Sequence, residues 1–124
     1  MNGNSLLLDS NIVLYLLNGE KTLIPLLEGK QLYLSFITQI ELLSYHEISS
    51  AEVETIDSFI QECIVNDMTS SLKELTIKLR KKYRIKLPDA IIAATSLYLN
   101  SPLVTADAGF KKLDDDIDII FYER

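Results

Sequence analysis

The sequence contains little cysteine, little histidine and no long apolar run, and each shortage excludes a class of protein. Its single cysteine, Cys63, excludes an internal disulfide and favours a reducing compartment, so we expect a cytoplasmic location. No apolar run approaches the roughly 18 residues that a membrane-spanning helix needs. The first residues also lack the basic, apolar and small-residue segments of a secretory signal. A chain of 124 residues predicts one domain over residues 1–124 with a single core.

Short apolar segments alternate with helical patterns along the whole chain. The first of them, residues 6–8, is three consecutive leucines, which is typical of a strand buried on both faces. Further strands are predicted at residues 32–35, 63–65, 102–105 and 117–122. Strands that alternate with helices form a parallel sheet covered on both faces. We therefore predict an α/β fold, a three-layer α/β/α domain with a mostly parallel central sheet of about five strands.

The charge is acidic overall but unevenly distributed. The net charge of −6 argues against general affinity for nucleic acids. Seven of the twelve basic residues nevertheless lie in one short window: Lys73, Lys78, Arg80, Lys81, Lys82, Arg84 and Lys86. A polyanion can bind along such a stripe, but a basic helix face is also commonly just solvated. The charge pattern alone leaves both interpretations open.

Four acids stand at junctions between apolar elements. Asp9 and Asp107 follow strands and are suited to capping helices. Asp89 is suited to a helix dipole, while Thr38 and Glu41 have the spacing of a capping box. In a parallel sheet, however, the carboxyl ends of the strands share one edge, and helices entered from that edge would bring all four acids there. Clustered carboxylates repel one another unless a cation compensates, and oxygen ligands favour Mg²⁺ or Mn²⁺.

The motifs around these acids resemble the PIN domain and, within it, the small VapC-type ribonuclease toxins of prokaryotic toxin–antitoxin pairs. The motifs are Leu8-Asp9-Ser10-Asn11, Glu41, Pro88-Asp89-Ala90-Ile91-Ile92-Ala93-Ala94 and Thr105-Ala106-Asp107-Ala108-Gly109-Phe110. The resemblance extends over residues 6–122. It implies a Mg²⁺- or Mn²⁺-dependent endoribonuclease that hydrolyses single-stranded or loop RNA and leaves 5′-phosphate and 3′-hydroxyl ends. It also implies a homodimer that a small antitoxin protein inhibits.

The resemblance also implies roles for individual residues. Five positions match the catalytic set: Asp9, Glu41, Asp89, Thr105 and Asp107. Asp9, Asp89 and Asp107 are the implied metal ligands. Glu41 would orient water, and Thr105 would fix Asp107 or a water by hydrogen bonding. Once phosphate is implicated, RNA binding is predicted for Asn11, Lys73, Arg80, Lys81 and Arg84.

Other functions fit these residues less well. A haloacid-dehalogenase type of phosphotransferase requires an Asp two residues after the first, where this sequence has Asn11. A ribonuclease mechanism with two histidines is excluded because His46 is alone. A catalytically silent PIN-like module that binds RNA or protein stays the alternative. The run Asp114-Asp115-Asp116 matches no motif, and we predict that it is a solvated loop.

Overall fold

The central sheet of the computed structural model, which describes residues 4–124, has five strands that all run parallel. The strands are β1 (Ser5–Leu8), β2 (Gln31–Ser35), β3 (Ile64–Asn66), β4 (Leu103–Thr105) and β5 (Ile119–Phe121). Their order across the sheet is β3-β2-β1-β4-β5, so β1 is the central strand, with two strands on either side of it. Every residue of β1 is buried. The predicted α/β fold with a parallel sheet of about five strands is confirmed.

Helices cover both faces of the sheet and complete the three predicted layers. They are α1 (Ser10–Leu17), α2 (Ile24–Leu27), α3 (Phe36–Leu43), α4 (Ser50–Gln61), α5 (Ser70–Lys82) and α6 (Leu87–Leu99), with 3₁₀ turns at Lys21–Leu23 and Ala108–Leu113. No helix within residues 4–124 is both long enough and apolar enough to cross a membrane.

The three leucines of β1 divide the core between the two faces of the sheet, because successive side chains of a strand point to opposite sides. Leu6 and Leu8 belong to a cluster that α1, α3 and α4 close on one face. Leu7 belongs to a second cluster on the other face, which α5 and α6 close. Burial on both faces explains why β1 is a continuous apolar run.

Helix α6 begins earlier than the apolar pattern indicates. The apolar run from Ala90 to Leu99 predicts a helix over those residues, whereas the helix starts at Leu87 with Pro88 in its first turn. Proline is tolerated there because the first N–H groups of a helix have no partner within the helix. The early start places Asp89 in the first turn, at the carboxyl edge of the sheet. The helix ends at Asn100, whose φ of 51° is the left-handed conformation typical of a helix end.

The predicted capping box between Thr38 and Glu41 is wrong. Strand β2 runs directly into α3, and the helix is capped by Ser35, whose hydroxyl accepts a 3.2 Å hydrogen bond from the N–H of Ile37. Thr38 therefore lies inside the helix and is fully buried. As a result Glu41 is displaced from the start of α3 and does not serve its cap.

The acidic run after the second 3₁₀ turn is only partly the solvated loop that we predicted. Asp114 and Asp115 are exposed, as expected. Asp116, by contrast, accepts a hydrogen bond from the Tyr83 hydroxyl and forms a 3.0 Å ion pair with Lys82. The loop thus fastens the end of α5 to the segment that leads into β5.

Candidate acidic site at the carboxyl edge of the sheet

Asp9 is the first residue after β1 and lies deep in the site, with only 5% of its surface exposed. It caps α1, since its Oδ1 accepts a 2.9 Å hydrogen bond from the N–H of Ser10. Its Oδ2 accepts hydrogen bonds from the Thr105 hydroxyl at 2.7 Å and from the Asn11 side-chain amide at 3.3 Å. A carboxylate has about four acceptor positions. These bonds occupy three of them and leave one on Oδ1.

Asp107 reaches the same edge from β4, two residues beyond the buried Thr105. The N–H of Asp107 donates a 3.0 Å hydrogen bond to the Thr105 hydroxyl. Its Oδ1 accepts a 2.8 Å bond from the N–H of Gly109, where a side chain would crowd the carboxylate at 3.1 Å. Between them, the N–H of Ala106 donates to the side-chain oxygen of Asn11 at 3.2 Å. This turn leaves the Asp107 carboxylate exposed at the mouth of the site.

Asp89 faces the same space from the first turn of α6. Partial burial raises its pKa, and the negative charge of Asp107 raises it further. The positive charges of Lys86 and Lys112 act in the opposite direction. Asp89 therefore lies between the acidic site on one side and two cations on the other.

Glu41 completes the set from the last turns of α3. Partial burial is the main reason why the pKa of Glu41 is raised, and the charges of Asp9 and Asp89 add to this shift. Interaction with the Ser10 side chain lowers the pKa in part. One oxygen, Oε1, is buried and has no hydrogen-bond partner among residues 4–124. Burial is the main reason why the pKa of Tyr45 is raised, and the charge of Glu41 raises it further. Tyr45 therefore lies near this carboxylate.

The pKa of Asp9 reflects the balance of burial, hydrogen bonds and charge at the centre of the site. Burial raises the pKa most strongly, and the charges of Asp107 and Asp89 raise it further. The hydrogen bonds from Thr105 and Ser10 favour the ionised form and lower it. The structure therefore brings all four predicted acids into one electrostatic cluster.

The oxygen donors of this cluster fit a hard divalent cation that keeps part of its water. Within residues 4–124 no three carboxylate, imidazole or thiol groups stand together as a ready-made metal shell. Mg²⁺, however, usually retains several waters and is held by only one or two carboxylates. The open acceptor position on Asp9 offers a ligand for a hydrated ion of this kind, and the unpartnered Oε1 of Glu41 offers an acceptor for one of its waters. The donor chemistry is therefore compatible with Mg²⁺ or Mn²⁺.

The residues predicted to bind RNA lie in two different places. Lys73, Arg80 and Lys81 are exposed along α5, and Arg84 is exposed just beyond its end. Asn11 lies inside the acidic site, where both ends of its amide are engaged by hydrogen bonds.

Sequence reasoning missed the neighbours that surround the acids. Ser10 and Tyr45 flank Glu41, and Lys86 and Lys112 balance Asp89. Lys86 could have been found, because it precedes Asp89 by less than one helical turn. Lys112 carried no comparable signal, since only the tertiary fold brings it to the site.

The fold and this site together define a class of protein, a parallel α/β domain with a carboxylate cluster at the crevice where such sheets bind ligands. The sequence profile described as "PIN domain" matches residues 6–116, which is most of the chain. The chain therefore belongs to the PIN domain family.

Solved structures with the same fold come from bacterial complexes. A chain of a toxin–antitoxin complex from Klebsiella pneumoniae is 25% identical, with a TM-score of 0.81 and coverage of 96% of this chain and 99% of that one. VapBC2 from Rickettsia felis, bound to a promoter DNA fragment, is 20% identical, with a TM-score of 0.81 and coverage of 96% and 99%. VapBC-1 from nontypeable Haemophilus influenzae is 22% identical, with a TM-score of 0.79 and coverage of 94% and 97%. A search of curated protein sequences gives no match.

Proposed function

We propose that this protein is a Mg²⁺- or Mn²⁺-dependent endoribonuclease that hydrolyses single-stranded or loop RNA, and that it is the toxin of a toxin–antitoxin pair. The observation that supports the proposal most directly is the convergence of Asp9, Glu41, Asp89 and Asp107 at one edge of the sheet. Carboxylates that raise one another's pKa favour a bound cation, and PIN-domain membership makes phosphodiester cleavage the chemistry that such a site performs.

In this proposal each acid has a separate role. Asp9, Asp89 and Asp107 hold the cation, and Thr105 fixes the relative positions of Asp9 and Asp107. When bound, the cation supplies an activated water near neutral pH and stabilises the charge that grows on the phosphate. Glu41 orients the attacking water, a role suited to its buried and unpartnered Oε1.

The proposed partner is a small antitoxin protein, and the proposed assembly is a homodimer in the cytoplasm. The support is the likeness to the chain of the Klebsiella pneumoniae toxin–antitoxin complex over nearly the full length of both chains. The test is to ask whether an adjacent short reading frame encodes a small protein that copurifies with this chain and inhibits it. The mass of the purified chain in solution, measured by light scattering, distinguishes a dimer from a monomer.

The experiment that tests the nuclease uses purified protein and end-labelled RNAs with single-stranded loops. We expect cleavage in Mn²⁺ or Mg²⁺, no cleavage in EDTA, and at least about a hundredfold loss in Asp9→Asn and in Asp89→Asn, because each change removes charge that holds the cation. Asp57→Asn is the matched control, since Asp57 is exposed on α4 and does not contribute to the pKa shifts of the site acids. Its activity should equal that of the wild type.

Two results would contradict the proposal in different ways. Cleavage that survives EDTA or both site substitutions would show that the acids do not carry the chemistry. RNA that binds but stays intact in every metal would identify a catalytically silent module instead.

A further inference from the structure

An open cavity of about 470 Å³ lies where α5 ends and the chain turns into α6. Five residues line it: Arg80, Tyr83, Arg84, Ile85 and Lys86. Three of the five are cationic, and all three cationic residues are exposed. Anionic groups in solvent therefore have access to a concentrated positive charge at this point.

No cation of the cavity forms an ion pair with an acidic side chain among the described residues. Within residues 4–124 the ion pairs are Lys82 with Asp116 and Arg124 with Glu20. The charge of Lys82 is therefore paired with the loop before β5. Arg80, Arg84 and Lys86 form no ion pair in the described part of the chain. The basic stripe that the sequence showed as uniform is thus divided into paired and unpaired charges.

The backbone that forms the cavity wall is held from several sides. The N–H of Tyr83 donates to the carbonyl of Leu79 at 2.9 Å, and its hydroxyl donates to Asp116. The ammonium group of Lys112 donates to the carbonyl of Arg84 at 2.8 Å. Because these contacts fix the chain on either side, the cavity is preorganised and a ligand does not have to order it.

The cavity adjoins the acidic site through Lys86. Lys86 lines the cavity, and its charge also lowers the pKa of Asp89. Lys112, which holds the cavity wall, acts on Asp89 in the same way. Lys86 is therefore common to the cavity and to the surroundings of Asp89.

We propose that Arg80, Arg84 and Lys86 form a phosphate subsite that binds the RNA backbone next to the nucleotides at the acidic site. This inference rests on the proposed function, in which RNA is the substrate. The physical need is clear, since a protein of net charge −6 with a carboxylate cluster repels RNA unless cations next to the cluster hold the strand. Guanidinium groups suit the task because their planar N–H donors match phosphate oxygens in pairs.

The test compares two double variants with the same loss of charge. Arg80→Gln with Arg84→Gln removes two cavity cations, and Lys21→Gln with Lys78→Gln removes two exposed cations that do not line the cavity. Both are made in an Asp107→Asn background to slow cleavage. Binding of a fluorescent single-stranded RNA is measured in Mg²⁺ by anisotropy over a series of salt concentrations.

We expect the arginine pair to weaken RNA binding at least about tenfold and to reduce the salt slope of log K by about 1.4. The lysine pair should weaken binding less than about threefold. The variant Arg80→Lys with Arg84→Lys keeps the charge but not the planar donors, and we expect it to bind with intermediate affinity. Thermal melting of each variant checks that the chain stays folded.

Equal losses in the arginine and lysine pairs, or no loss in the arginine pair, would overturn the subsite. Displacement of the RNA by polyglutamate at equal charge would also overturn it, because the cavity would then bind any polyanion. The two proposals fail separately. If the protein cleaves RNA but the two pairs behave alike, the subsite is wrong and the nuclease stands. If RNA binds through the arginines and is never cleaved, the nuclease is wrong and the subsite stands.

Discussion

The hydroxyl of Thr105 donates a 2.7 Å hydrogen bond to the carboxylate of Asp9 while accepting a 3.0 Å bond from the N–H of Asp107. One side chain on β4 thereby fixes the acid that follows β1 and the acid that follows its own strand. Thr105 is fully buried, so water cannot replace either bond. A single oxygen atom therefore joins two proposed metal ligands directly, in addition to the link that Asn11 makes between Asp9 and Ala106.

Removing that oxygen should destabilise the protein and impair the site together. Thr105→Val keeps the side-chain shape but removes one of the two bonds that Oδ2 of Asp9 accepts and leaves the part-buried N–H of Asp107 without its acceptor, at a cost of about 1–3 kcal/mol in the free energy of unfolding. Urea denaturation measures this loss. RNA cleavage should fall by about tenfold to a hundredfold because the acids lose their alignment. Thr105→Ser, which keeps the hydroxyl, should retain most of both properties, and a loss in the Ser variant as large as that in the Val variant would show that the hydroxyl contributes no more than the methyl group.

The features that the sequence predicted well are those that depend on local patterns. The three leucines of β1 can only be a strand that is buried on both faces, and Asp9 follows them directly. Because parallel strands end at a common edge, the placement of Asp107 after β4 followed from the same pattern. The family resemblance rested on these junctions, so the local signal was sufficient to identify the family and to locate the acids.

The features that the sequence did not predict depend on contacts between distant segments. Thr38 and Ser35 are equally good helix caps by chemistry, and only the direct passage of β2 into α3 selects Ser35. Asp116 pairs with Tyr83, which is 33 residues away in the chain. The division of the basic stripe into paired and unpaired cations has the same origin, because the loop that neutralises Lys82 is far from α5 in sequence.

The single thiol should be unreactive in the folded protein. Burial, with a smaller effect from the charge of Glu62, raises the pKa of Cys63 to about 11. Since the thiolate is the reactive form, labelling by Ellman's reagent near pH 8 should be about a hundredfold slower than for free cysteine. Urea that unfolds the chain should restore the ordinary rate. Fast labelling of the folded protein would show that the thiol is more accessible than its packing against the core indicates.

Without metal, the protein should lose stability as the pH rises. Burial raises the folded-state pKa of Asp9, Glu41 and Asp89 above the ordinary values of 3.8 for Asp and 4.5 for Glu. Between the ordinary and the raised values the folded state binds more protons than the unfolded chain, so the free energy of unfolding falls as the pH increases through that range. The lowered pKa values of Glu20 and Asp116 act only below the ordinary values, where stability is lost on acidification.

Thermal melting in EDTA over a pH series measures this dependence. We expect the midpoint to be highest in mildly acidic buffer and to decline towards neutral pH. A midpoint that rises steadily to pH 8 would contradict the strain that we assign to the clustered acids. Excess Mg²⁺ should flatten the curve, because a bound cation compensates the ionised carboxylates.

Asp89→Asn should show separately how much repulsion among the acids destabilises the metal-free protein and how much Asp89 contributes to metal binding. Asp89 is half-buried and near Asp107, so removing its charge should raise the melting temperature in EDTA. Wild-type protein should gain about 2.7 kcal/mol in the free energy of unfolding at Mg²⁺ concentrations a hundred times the Kd, and the variant should gain much less because it has lost a proposed ligand.

Asp9→Asn is less suitable for this purpose, because an amide oxygen and nitrogen cannot accept the three hydrogen bonds that Asp9 accepts. Asp57→Asn is the control and should respond to Mg²⁺ like the wild type. If Asp89→Asn melts lower than wild type in EDTA, the carboxylate stabilises the start of α6 through the helix dipole instead, and its assignment as a strained metal ligand is wrong.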